Sequence, residues 1–170
     1  VPYFDANNGG GNYLIRNDGK KGDWITFSDA TEGSGLDGQN NRRFSFASVW
    51  EDLDNDGDQD LFVANDFGLT YEANELYLNN FPQNDFVQAS DDMNVQVRMN
   101  SMGIAIGDYD EDGDFDYYVT NMGDNPFFEN EGNRYFKNVA FAKGVNNPDG
   151  TSWGTAFLDF DNDTYKEFGY

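Results

Sequence analysis

The chain has no cysteine and no histidine among its 170 residues. Without cysteine there is no disulfide, no thiolate metal site and no cysteine nucleophile. Without histidine the usual general base and the usual zinc ligand are missing, and a Ser-His-Asp triad is excluded. Positive charge is scarce as well, with 10 basic residues against 32 acidic ones and a net charge of −22. Such a balance argues against nucleic acid and anionic membrane surfaces as partners and favours cations. No stretch approaches the ~18 consecutive apolar residues of a membrane helix, so membrane insertion is not expected. The first residue is Val1 rather than Met, which reads as a processed protein or an excerpt of a longer one.

What the chain has in quantity is aromatic residues, at 17%. That much Phe, Tyr and Trp must be buried somewhere, which argues against disorder despite the charge. The acids are concentrated in three short runs: "DLDNDGDQDL" from Asp52, "DYDEDGDFDY" from Asp108 and "DFDNDTYKEF" from Asp159. Their starts lie 56 and 51 residues apart, which is repeat spacing.

Around each run the same short pieces recur. "RFSFASVW" precedes the first run, and "DLFVAND", "NELYLNN" and "NDFVQAS" follow it. The second unit reads "SMGIAIGDYDEDGDFDYYVTN" and then "NPFFENEGNRYFKNVA". "SWGTAFLDFDNDTYKEFGY" opens a third, whereas "NYLIRNDGKKGDWITFSDA" matches the later half of a unit. Each piece is five to eight residues, rich in Phe, Tyr, Val and Ile and bounded by Gly, Asn or Asp. These are strand signals, and no window sustains a helical period. The reading is an all-β chain of β-propeller blades, each of four antiparallel strands, with about three blades' worth of sequence. The repeat units run over 1–43 (partial), 44–100, 101–150 and 151–170 (partial), and "VPYFDAN" is expected to be a strand. Exposed blade edges make self-association or a protein partner an expectation, with head-to-tail fibre formation as one form of it.

In the first run Asp52, Asp54 and Asp56 alternate, so their side chains can converge on one point, and Gly57 supplies the turn. The Asp58 carbonyl and the Asp60 carboxylate complete about six hard oxygen ligands, a set that suits Ca²⁺. Asp108, Asp110, Asp112, the Asp114 carbonyl and Asp116 repeat the pattern. Asp159, Asp161 and Asp163 do so in part, with Thr164 in place of Gly and Glu167 in place of Asp. At Thr164 a positive φ would be strained. An EF-hand is disfavoured, because its twelfth-position Glu falls on Val63 and Val119 and the flanks read as strands.

The D-x-D-x-D-G-x-x-D runs between strands resemble the FG-GAP and VCBS repeats, the calcium-bearing propeller blades also found in integrin α chains. "SMGIAIGDYDEDGDFDYYVTN" and "SWGTAFLDFDND" look most like the subgroup related to cartilage acidic protein. The resemblance implies a seven- or eight-bladed ring in full-length members, an extracellular location, and one structural Ca²⁺ in each motif-bearing blade. The expected function is a non-catalytic extracellular module for adhesion or structural assembly. A carbohydrate-binding module is the alternative, through Trp24, Trp50 or Trp153, although Trp50 and Trp153 read more readily as inter-blade core. A calcium-dependent polysaccharide-active enzyme is less favoured. The acids outside the loops (Glu72, Glu75, Asp91, Asp92, Glu129, Glu131) form no constellation, and Arg42, Arg43, Arg98 and Arg134 are scattered.

Overall fold

The computed structural model describes residues 8–36, 43–83 and 85–170. Two four-stranded antiparallel sheets form its centre. The first joins β3 (Ser45–Glu51), β4 (Asp60–Asn65), β5 (Glu75–Asn79) and β6 (Phe86–Gln88) in sequence order. The second joins β7 (Ser101–Gly107), β8 (Asp116–Asn121), β9 (Phe127–Asn130) and β10 (Phe136–Asn138) in the same way. Each sheet is one up-and-down blade. A two-stranded sheet flanks each side: β1 (Ile15–Lys21) with β2 (Trp24–Asp29), and β11 (Ala156–Leu158) with β12 (Glu167–Gly169). A single helical turn, α1 (Ala140–Lys143), follows the second blade and closes on Gly144 at φ 75°. The strand expected over 1–7 and Arg42 lie outside the described residues.

Side-chain alternation explains the stacking. All six residues of β4 are buried because both faces of the strand are covered. Phe62 and Ala64 meet Tyr117, Val119, Phe128 and Phe136 of the second blade, whereas Leu61 and Val63 meet Leu14 and Leu36 on the other side. The second blade does the same, presenting Ala105, Tyr118 and Phe127 to Phe157 and Phe168 of the β11–β12 pair. Each large buried aromatic contributes about 1.5–3 kcal/mol by leaving water. Tyr117 is central, with its ring 4.7 Å from Phe62 and 4.8 Å from Phe136.

The innermost strands β3, β7 and β11 lie successively against one another. At Gly103 the approach is so close that a Cβ would stand 2.3 Å from the Trp153 carbonyl oxygen, which only glycine permits.

The two tryptophans ahead of the acidic loops differ from expectation. Trp50 is 43% exposed and packs edge-on against Phe86, and Trp153 is 58% exposed beside Phe46. Trp50 lines a groove with Tyr13 and Leu14, just ahead of β1, and no inner strands cover that side of β3 among the described residues.

Candidate metal centres in the acidic loops

Each acidic run links two strands paired at its base: Glu51 faces Asp60, Gly107 faces Asp116, and Leu158 faces Glu167. Strands flank all three loops, as the sequence implies. The backbone of each loop turns left-handed twice. Asn55, Glu111 and Asn162 have φ of 61–62°, and Gly57, Gly113 and Thr164 have φ of 95°, 95° and 82°. The second of these positions is the expected one. The first went unread in the sequence, where Asn at two of the three copies is its signal, since Asn tolerates this region better than most residues.

The first carboxylate of each run ties the loop to itself. Asp52 accepts the N–H groups of Asp56 and Gly57 at 3.0 Å each, and Asp108 accepts those of Asp112 and Gly113 at 3.2 and 3.1 Å. Asp159 does the same for Asp163 and Thr164 at 3.1 and 3.0 Å. The third loop therefore keeps the hydrogen-bond frame of the others despite its altered sequence.

Three trios of carboxylates converge. Asp52, Asp54 and Asp60 offer oxygens within 4.8 Å of one another, as do Asp108, Asp110 and Asp116, and Asp159, Asp161 and Glu167. Asp56, Asp112 and Asp163 stand outside these trios. Asp56 accepts the Asp58 N–H at 3.2 Å, Asp112 accepts the Asp114 N–H at 2.9 Å, and Asp163 accepts the Tyr165 N–H at 3.0 Å.

Asp60 and Asp116 are the best-held members. One oxygen of Asp60 accepts the Leu53 N–H at 2.8 Å, and the other accepts the Asn79 N–H at 2.9 Å. Asp116 likewise accepts from Tyr109 at 3.2 Å and Asn130 at 2.9 Å. Burial pushes the Asp60 carboxyl up to about 6 and that of Asp116 to about 7, with the neighbouring loop carboxylates adding to the effect. Asp54 and Asp110 are raised in the same direction, again chiefly by burial.

The two intact loops also meet each other. Asn55 donates to the Asp114 carboxylate at 2.7 Å, and Arg134, on the β9–β10 turn, reaches Asp54 at 2.7 Å. Sequence reading gave no hint of either contact, since both cross between blades.

Residues 52–119 match the family model of an FG-GAP-like repeat. The match runs from the first acidic loop through β8, so it contains both intact loops and the strands between them. This stretch is therefore read as FG-GAP-like β-propeller repeat. No curated protein matches the chain. Among the described residues no helix is long and apolar enough to cross a membrane.

Of the scattered basic residues, Arg43, Arg98 and Arg134 are engaged within the fold. Arg43 is buried and pairs with Glu75 at 2.9 Å, donating also to the Tyr77 hydroxyl. Arg98 donates to the carbonyls of Gly68 and Tyr71. Glu129 bonds the Tyr109 hydroxyl and Lys143, and Glu131 pairs with Lys137.

Proposed function

We propose that the chain is a non-catalytic, extracellular calcium-binding propeller module for adhesion or structural assembly, nearest in kind to the cartilage acidic protein-like subgroup. The observation that carries this reading is the convergence of three carboxylate trios at one phase of a structural repeat. The donors fit a hard divalent ion. The Asp54 side chain is 1% exposed, and its Oδ1 is buried without a hydrogen-bond partner while Oδ2 holds Arg134. A buried, unpartnered carboxylate oxygen inside an acidic cluster is costly unless a cation faces it. All the donors are oxygens, which suits Ca²⁺ better than a transition metal.

Asp52, Asp54, Asp56, Asp60 and the Asp58 carbonyl would hold the ion in the first loop. Asp108, Asp110, Asp112, Asp116 and the Asp114 carbonyl would do so in the second, and Asp159, Asp161, Asp163 and Glu167 in the third. The ion supplies charge neutralisation, so loop closure and blade pairing no longer oppose carboxylate repulsion. Millimolar extracellular calcium suits exposed loop sites of this kind, whose affinities run to roughly 10⁻⁴–10⁻³ M in extracellular modules. A non-catalytic role is supported by Arg43, Arg98, Glu75 and Glu131 being engaged in packing and ion pairs rather than converging on a cleft.

Thermal melts in millimolar CaCl₂ and in EDTA, with calorimetric titration of Ca²⁺ and Mg²⁺, test the reading. A melting temperature that rises with Ca²⁺ and two or three bound ions are expected; identical melts would overturn it. Carbohydrate binding is the second reading, supported by the exposure of Trp24 and Trp153, and a glycan array without binding removes it.

A further inference from the structure

The contacts between the two complete blades join the first two acidic loops to each other, and not merely one sheet to the next. Asn130, the last residue of β9, is the centre of this link. Its backbone N–H donates to Asp116, the closing carboxylate of the second trio, at 2.9 Å. Its side-chain amide donates across the blade boundary to the Leu53 carbonyl of the first loop at 3.3 Å. Leu53 in turn donates its N–H to Asp60, the closing carboxylate of the first trio, at 2.8 Å. A hydrogen-bonded path therefore runs Asp116–Asn130–Leu53–Asp60, and none of the four residues is more than 3% exposed.

Two further contacts run beside this path. Asn55 donates to the Asp114 carboxylate at 2.7 Å, and Arg134 reaches Asp54 at 2.7 Å. Arg134 belongs to the turn that Asn130 fixes by accepting the Gly132 N–H at 3.1 Å. Gly132 stands so near Asp114 that a Cβ on it would lie 3.5 Å from Oδ2. The β9–β10 turn thus touches both loops. Its counterpart in the first blade does less: Asn79 holds Asp60 through its N–H, but its amide donates to Gln59 of its own loop. Between the second and third loops the pair matching Asn55 and Asp114 is Glu111 and Tyr165, and no hydrogen bond joins them.

We propose that the first and second acidic loops bind Ca²⁺ cooperatively, each filled loop raising the affinity of the other, with Asn130 and Asn55 as the positioning residues that carry the coupling. This coupling rests on the calcium reading above and adds the regulation of those sites. In an unfilled loop the clustered carboxylates repel one another, so binding must also order the loop. With the second loop filled, Asp114 and Asp116 are fixed, and Asn55, Asn130 and the Leu53 carbonyl are held with them. The first loop then has less ordering left to undergo and binds more tightly. Filling one loop also makes the field at the other less negative, which opposes the effect. Salt screens that field over about 8 Å, whereas the Asp116–Asn130–Leu53–Asp60 path is buried and escapes screening.

Calcium titrations followed by two-dimensional NMR test the coupling, with the Gly57 amide reporting the first loop and the Gly113 amide the second. Asp110→Asn keeps the side-chain shape and removes a ligand charge from the second loop alone. It should raise the Ca²⁺ midpoint at Gly57 by about fivefold or more, the lower end of coupling between linked sites. Linkage is reciprocal, so Asp54→Asn should raise the midpoint at Gly113 in turn. Asn55→Gly removes the bridging amide and suits the φ of 61° at that position, so the turn is kept. It should raise both midpoints and shrink the effect of Asp110→Asn. Asp161→Asn, in the third loop, should leave the Gly57 midpoint where it was. A Gly57 midpoint that stays or falls in Asp110→Asn overturns the coupling and leaves the calcium reading intact. Should Asp110→Asn fail to fold, an unchanged Gly113 midpoint in Asn55→Gly overturns it equally. Gly57 and Gly113 amides that ignore Ca²⁺ in the unaltered chain overturn the calcium reading itself.

Discussion

The guanidinium of Arg134, in the turn between the last two strands of the second blade, lies 2.7 Å from the carboxylate of Asp54 in the first blade's acidic loop. One carboxylate thereby serves two purposes: one oxygen joins the blades and the other points into the acidic cluster. Without Ca²⁺, Arg134 is the cation that offsets Asp54. Arg134→Gln should therefore lower the melting temperature more in EDTA than in calcium. Arg134 is largely exposed, so the loss should be modest, about 0.2–1 kcal/mol. Parallel melts of both proteins in the two buffers measure the difference.

Asp54 and Asp58 should separate cleanly by titration. Asp54→Ala removes a convergent ligand and strands Arg134, so the number of bound Ca²⁺ should fall by one. Asp58 is assigned only its carbonyl, and its carboxylate accepts the Phe81 N–H at 3.2 Å, which an amide oxygen can also do. Asp58→Asn should keep the stoichiometry and shift affinity by less than about tenfold, or 1.4 kcal/mol. Isothermal titration of both variants decides.

Thr164 sits at φ 82°, where the other two loops have glycine. A β-branched residue there costs about 1–3 kcal/mol of strain, partly offset because glycine loses more entropy on folding. Thr164→Gly should stabilise the protein by about 1 kcal/mol, raising the melting temperature by ~2–4 °C, and should tighten the third site. Differential scanning calorimetry reads the first effect and calcium titration the second.

The buried carboxyls make stability depend on pH in opposite senses with and without metal. Asp60 and Asp116 titrate at about 6 and about 7 in the folded chain, against 3.8 for an ordinary aspartate. Between those limits the metal-free folded state binds more protons than the unfolded one, so its stability falls as pH rises from about 4 to 7. Calcium requires the ionised form, so metal affinity rises over the same interval. The gap between melting temperatures in Ca²⁺ and in EDTA should widen from pH 5 to pH 8.

The repeating acidic runs and the alternating aromatic pieces made the four-stranded blades, the three acidic loops and the positive φ at Thr164 legible from residues alone, whereas the trios join the first, third and ninth positions and leave out the fifth, which alternation had placed among them. Those features are local, set by spacing within a few residues. What sequence left unread is non-local. The Asn55–Asp114 and Arg134–Asp54 contacts join residues 59 and 80 positions apart. No periodicity in either segment signals that their loops meet. Trp50 and Trp153 failed as core residues for a related reason: a strand's sequence tells which face is apolar, and says nothing of whether a neighbour stands against it.

The stacking of blades also fixes where the chain opens first. Both complete blades are covered on two faces, and β4 and β8 are buried throughout, whereas among the described residues the two flanking hairpins are each covered on one. Stability here is a sum over nearest neighbours along one axis, as in a linear array. Amide hydrogens of β4 and β8 should exchange only through global unfolding, and those of the flanking hairpins through fraying at far smaller cost. Anything that caps those hairpins thus acts on the whole array, by adding a neighbour at its weakest links.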